Sequence, residues 1–169
     1  IKVKQYLKRY RSDYASIVII DNNTGKILTA VDYDKKEKDF GVSLSFSSTN
    51  PAASVFKVIT AADLLENTTT SKETEFSYNG RSSTLYKYQL KDNKNKWTRS
   101  VPFKKAFARS NNVVFGKAAI KNSNSASLMK MANKFGFNNN LLQLLDAGDS
   151  SLLIADSDYS LAELASGFN

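Results

Sequence analysis

The sequence contains no cysteine and no histidine. Without cysteine there is no disulfide and no thiol nucleophile, and redox compartment leaves no mark on the chain. Without histidine, a Ser-His-Asp triad, a Cys-His dyad and the usual zinc sites all lack their parts. Covalent or acid–base chemistry therefore falls to Ser, Thr, Lys, Tyr or carboxylates. Long apolar runs are missing too, so neither a signal peptide nor a membrane-spanning helix is expected within these residues. The rest is ordinary: 41% hydrophobic and 24% charged over 169 residues describe one globular domain.

Charge of one sign is scarce in places. The net charge is +8, with Lys2, Lys4, Lys8, Arg9 and Arg11 unopposed at the start. Residues 81–105 set eight basic side chains against Asp92 alone, while residues 141–169 hold five acids and no base. Such asymmetry suits an anionic surface or simply a solvated basic face. No nucleic-acid motif accompanies it, and no nucleic-acid partner is expected.

Residues 1–14 read as a basic lead-in. Ala15–Ile20 and Ile27–Val31 are β-branched runs around Asp21–Lys26, a hairpin signal, and Asp32–Asp39 is a charged loop. Gly41–Asn50 is a serine-rich, non-helical approach to the segment Asn50–Glu66. From Ser54 to Leu65 the polar residues are Ser54, Lys57, Thr60 and Asp63, each three after the last, with Val, Phe, Ile, Ala and Leu between. A helix so apolar belongs in an interior, and Pro51 suits its start. Thr74–Tyr78 and Ser83–Leu90 flank Asn79-Gly80 as a second hairpin. Lys91–Trp97 reads as a loop, and Ser100 with Pro102 opens a short helix through Arg109. Ser110-Asn111-Asn112 interrupts it before a helix over Val113–Lys121. A further helix starts at Asn124 or Ser125 and ends near Phe135-Gly136, and Tyr159–Ser166 is a helix stopped by Gly167. Leu141–Ile154 is apolar without clear periodicity.

Spacing alone identifies no nucleophile. With 21 Ser and 19 Lys, chance yields about two Ser-x-x-Lys pairs, and two occur: Ser54/Lys57 and Ser127/Lys130. Three Ser-x-Asn triplets occur: Ser48/Asn50, Ser77/Asn79 and Ser110/Asn112. Context separates the lysines. Lys130 lies on an amphipathic helix, whereas Lys57 enters an apolar one, where desolvation lowers its pKa and lets it accept a proton. A serine hydroxyl one helical turn away would then be activated, and helix N-terminal amides could help hold an oxyanion. The plainer alternative makes Ser54 a helix-start hydroxyl and Lys57 a snorkelling side chain. Likewise Ser110-Asn111-Asn112 can be an inter-helix turn, and Tyr78, Tyr86 and Tyr88 hairpin packing.

Pro51-x-x-Ser54-x-Phe56-Lys57-x-x-Thr60-Ala61 resembles the nucleophile motif of penicillin-binding proteins, the transpeptidases that cross-link peptidoglycan. Ala108–Ala119, containing Ser110-Asn111-Asn112, resembles their second motif and its helix. The hairpin Ile17–Val31, Lys134–Phe137 and Leu161–Phe168 are similar to family segments, so the resemblance spans residues 15–169. It implies an α/β (α+β) fold in which a helical cluster packs on an antiparallel sheet. It further implies that Ser54 attacks the carbonyl between two terminal D-alanines of a stem peptide, with Lys57 as general base. Ser110 would relay the proton to the leaving amine, and Asn112 would bind the substrate amide and orient Lys57. β-Lactams would trap Ser54. No metal or organic cofactor is implied. The location would be the outer face of the cytoplasmic membrane, with an anchor outside this chain.

Two features depart from the family. Ala53 stands where many members have glycine, and no Lys-Thr-Gly or Lys-Ser-Gly occurs. The missing third motif points to a partial domain with little activity of its own. A β-lactamase, a β-lactam sensor, or a non-catalytic module for an anionic polymer are the alternative readings.

Overall fold

The computed structural model describes residues 2–9, 12–36, 43–48, 50–139 and 151–168. They fall into two compact units, Ile1–Asn50 with Asn140–Asp149, and Pro51–Asn139 with Ser150–Asn169. The sequence readings for Leu141–Ile154, and for parts of 37–42, lie mostly outside the described residues.

In the first unit, helix α1 (Lys2–Arg9) touches strand β2, and β1 (Tyr14–Ile20) pairs antiparallel with β2 (Ile27–Asp34). The expected hairpin is present. Asp21 accepts from the Asn23 N–H (2.8 Å) and the Thr24 hydroxyl (2.9 Å), which closes the connection as an Asx turn. Asp32 on β2 accepts from the hydroxyls of Ser43 and Ser45, tying down the 3₁₀ turn Leu44–Phe46. Among its described residues, 43–48 and 50, the serine-rich approach is therefore non-helical apart from that single turn.

Among its described residues the second unit carries eight elements after a 3₁₀ turn at Ala53–Phe56: α2 (Lys57–Asn67), β3 (Glu75–Tyr78), α3 (Lys87–Leu90), β4 (Arg99–Pro102), α4 (Phe103–Ala108), α5 (Asn112–Asn122), α6 (Ser125–Lys134) and α7 (Asp158–Ser166). Its most deeply interior helix is α5, where Val113, Val114, Phe115, Ala118 and Ala119 are all inaccessible to solvent. One core cluster sets α5 against β3, β4 and α4 through Phe76, Tyr78 and Phe103. A second joins Phe56, Ile59, Leu128, Met131, Leu161 and Leu164 from the 3₁₀ turn, α2, α6 and α7. Helix α2 borders both.

Two expectations fail around residue 80. Ser83–Leu90 forms no strand; β3 pairs instead with β4, in the register Glu75↔Pro102 to Tyr78↔Arg99. The reason is Gln89, fully buried, whose side chain donates to the carbonyls of Asn79 and Arg81 and accepts from the Tyr86 N–H and the Thr84 hydroxyl. That knot winds Lys87–Leu90 into one helical turn, which a pleated strand cannot supply. Tyr78 is buried as expected, but Tyr86 and Tyr88 are exposed and stack on each other at 5.8 Å. The helix expected from Ser100 begins only at Phe103, because Arg99–Pro102 is committed to β4.

Helices α5 and α7 approach closely because residue 116 has no side chain. A Cβ there would lie 2.9 Å from the Ala162 Cβ and 3.1 Å from Leu90 Cδ2. Gly116→Val is expected to lower stability by about 1–3 kcal/mol through overpacking. A urea melt reads this as a lower midpoint with an unchanged slope.

Candidate active site

The polar series of α2 faces inward. Lys57, Thr60 and Asp63 are buried, whereas the aliphatic Val58 and Leu65 are 44% and 48% exposed. This reverses the usual amphipathic pattern, and the buried polar groups must find partners. Each does, and the partners define the site.

Lys57 is the first residue of α2 and Ser54 sits in the preceding 3₁₀ turn. The Lys57 Nζ donates to the Ser54 Oγ at 3.1 Å and to the Ser166 carbonyl at 2.7 Å. It also lies 5.8 Å from the centroid of the Phe115 ring. Only 2% of Lys57 is accessible, while Ser54 is exposed. Burial pushes the Lys57 amine down to about 8, with no carboxylate paired to it among the described residues. The pair thus has an accessible hydroxyl and a desolvated amine within hydrogen-bond reach. Ser54 also lies at the start of a turn whose first N–H groups have no intrahelical acceptors.

The turn holding Ser54 is strained. Ala53 has φ 47°, in the left-handed region that favours glycine. A glycine at that position would carry no such strain. Opposite it, Gly167 ends α7 with φ 81°, and a Cβ there would fall 1.8 Å from the Ala53 carbonyl oxygen. Thr60, one turn beyond Lys57, donates to the Ala165 carbonyl at 2.9 Å. The last carbonyls of α7 therefore rest on the polar face of α2.

Ser110 lies between α4 and α5, and Asn112 is the first residue of α5. Ser110 is half-buried with φ 50°, and the Asn111 side chain caps α5 by accepting from the Val114 N–H at 3.1 Å. Asn112 Nδ2 donates to the Ser83 carbonyl at 2.8 Å. No hydrogen bond joins Ser110 or Asn112 directly to Ser54 or Lys57. The connection is indirect: the Ser166 hydroxyl donates to the Asn112 carbonyl at 2.9 Å, and the Ser166 carbonyl accepts from Lys57. The structure thus brings Ser54 and Lys57 together, and reaches Asn112 through Ser166.

Reasoning from sequence overlooked Ser166 and the part played by Thr60. The three-residue periodicity did signal Thr60, since it shares a helix face with Lys57. Ser166 had only its place before a helix-stopping glycine. The other Ser-x-x-Lys pair is structural. Lys130 is exposed, and the Ser127 hydroxyl donates to Asp63 Oδ1 at 2.5 Å.

The family model described as the penicillin-binding protein transpeptidase domain matches residues 15–167. No curated protein matches the chain. Among solved structures, penicillin-binding protein A from Mycobacterium tuberculosis aligns at 22% identity with TM-score 0.68, covering 90% of this chain and 41% of that one. Its ceftriaxone acyl-enzyme complex aligns at 22% identity with TM-score 0.66, covering 90% and 40%. Its penicillin G acyl-enzyme complex aligns at 23% identity with TM-score 0.56, covering 72% and 29%. At such identities the likeness is one of fold. The chain spans about 40% of the length of the first two.

Proposed function

The chain belongs to the penicillin-binding protein transpeptidase domain family, and from that premise we propose that it supplies the acylating serine of a peptidoglycan D,D-transpeptidase. The observation that carries this reading is the exposed Ser54 hydroxyl 3.1 Å from the buried Lys57 amine. In its neutral form Lys57 takes the Ser54 proton as Oγ attacks the carbonyl between the terminal D-alanines of a stem peptide. Ser110 relays the proton taken up by Lys57 to the departing D-alanine amine, giving up its own hydroxyl proton as it receives that one. Asn112, whose Oδ1 accepts from no described residue, is available to a substrate N–H. The acyl group on Ser54 then passes to an acceptor amine, or to water. A β-lactam offers the same carbonyl, with a leaving amine that stays tethered to the acyl group. This chemistry belongs on the outer side of the cytoplasmic membrane, where peptidoglycan lies.

The test is covalent labelling of the full-length protein with benzylpenicillin, read by intact mass. A stable adduct is expected on the parent and not on Ser54→Ala. Rapid turnover without an adduct would mark a β-lactamase. Neither adduct nor turnover in a folded protein would sink the catalytic reading.

A further inference from the structure

We propose that Ser166 and Gly167, at the C-terminal end of α7, are positioning residues for the Ser54/Lys57 pair. The inference rests on the transpeptidase reading above and adds to it the element that aims the base. Three independent contacts support it. The Ser166 carbonyl accepts from Lys57 Nζ at 2.7 Å, shorter than the 3.1 Å contact to Ser54. The Ser166 hydroxyl, itself 1% exposed, donates to the Asn112 carbonyl at 2.9 Å and so ties the end of α7 to the start of α5. Gly167 closes α7 with its N–H on the Leu164 carbonyl and the Phe168 N–H on the Glu163 carbonyl. That cap satisfies earlier carbonyls and leaves those of Ala165 and Ser166 to α2.

The chemistry follows from the geometry of an amine. A neutral Lys57 has two N–H bonds and one lone pair. An N–H committed to the Ser166 carbonyl restricts rotation about the terminal C–N bond and helps turn the lone pair toward the Ser54 hydroxyl. When Lys57 carries the proton, the same carbonyl, at the negative end of the α7 dipole, stabilises the ammonium. The groups facing Lys57 are thus the Ser54 hydroxyl from its own turn, the Phe115 ring from α5 and the Ser166 carbonyl from α7; none of these titrates near neutrality. Gly167 makes the approach possible, since any side chain there would occupy the space of the Ala53 carbonyl.

The variants are Ser166→Ala and Gly167→Ala in the full-length protein. Ser166→Ala removes the hydroxyl tie to the Asn112 carbonyl and keeps the main-chain carbonyl that faces Lys57. It is expected to slow benzylpenicillin acylation about threefold to tenfold, in the acylation step rather than in prior binding. It should also move the Lys57 titration, followed by NMR of 13C-labelled lysine, to lower pH, because the main-chain carbonyl of residue 166, no longer tied to α5, holds the ammonium less firmly. Gly167→Ala should slow acylation more than Ser166→Ala. A role confined to stability would lower the melting temperature and leave both the acylation step and the Lys57 titration in place; that result overturns the proposal. If the parent forms no Ser54 adduct, the transpeptidase reading fails, and the Lys57 titration in Ser166→Ala still decides whether α7 positions the amine.

Discussion

Lys57→Met is expected to abolish useful acylation and yet make the protein more stable at neutral pH. Loss of a general base slows such a step by about 10²–10⁴-fold, and methionine has no proton acceptor to put in its place. The stability effect has the opposite sign because Lys57 is buried. In the unfolded chain a lysine holds its proton up to 10.5, whereas burial brings the folded value down to about 8. Between those limits the unfolded state binds more protons, so stability rises with pH through that window and is lowest below it. At pH 7 the full penalty is present, about 3 kcal/mol. Methionine removes that penalty but leaves the Ser166 carbonyl without its donor, which costs about 1–2 kcal/mol. The net gain is about 1–2 kcal/mol, or a melting temperature raised by about 2–8 °C.

Thermal melts of parent and variant from pH 6 to pH 10 check this. The gap should be widest at low pH and close as the pH rises above 8, and a gap independent of pH would contradict the assignment. The parent's acylation rate carries the same signature. It should rise about tenfold from pH 6 to pH 7 and level off near 8, as the neutral amine becomes the dominant form.

Asp63→Ala is expected to have the largest effect on stability while leaving the chemistry nearly intact. Asp63 is fully buried and accepts from the Ser123 hydroxyl, from the Ser127 hydroxyl at 2.5 Å and from Asn67 Nδ2 at 2.8 Å. It pins α2 to the start of α6. Alanine there strands these donors beside a cavity, which costs about 3–5 kcal/mol, or about 6–20 °C in melting temperature. Asp63 lies six residues beyond Lys57, nearly two turns of helix, so a still-folded sample at low temperature should acylate at close to the parent rate. A melting point within a degree or two of the parent would mean that water replaces the carboxylate without loss. A large fall in acylation by folded protein would mean that the pin sets the position of Lys57 as well.

Several elements of this fold are legible in the linear order of residues because their causes are local. The first hairpin follows from β-branched runs around an Asx turn. The ends of α6 and α7 follow from Asn124 as an N-cap and Gly167 as a left-handed stop. Family membership was legible as well, through two motifs in order rather than through either spacing alone. Where the cause is distant, the sequence misleads. Asn79-Gly80 has the chemistry of a tight hairpin, yet its strand is taken by β4, twenty residues on, while Gln89 folds the intervening segment around its own side chain. The rule for hairpins is sound, but it has no knowledge of a buried amide that meets four groups at once.

The candidate site divides along the same line. From the sequence by itself came Ser54 and Lys57 one turn apart, the apolar neighbours that desolvate the lysine, and the series of polar residues sharing its face. Those properties depend on helical periodicity and composition, which are written within a dozen residues. Only the tertiary structure decided that this face turns inward and that Ser166, 109 residues further on, accepts from the lysine. It also decided that Asn112 is reached through Ser166 and that Ala53 and Gly167 must both adopt left-handed backbone for the two turns to meet. Contacts between main-chain carbonyls and distant side chains leave almost no trace in residue type, because every residue carries a carbonyl and packing alone selects which one is used.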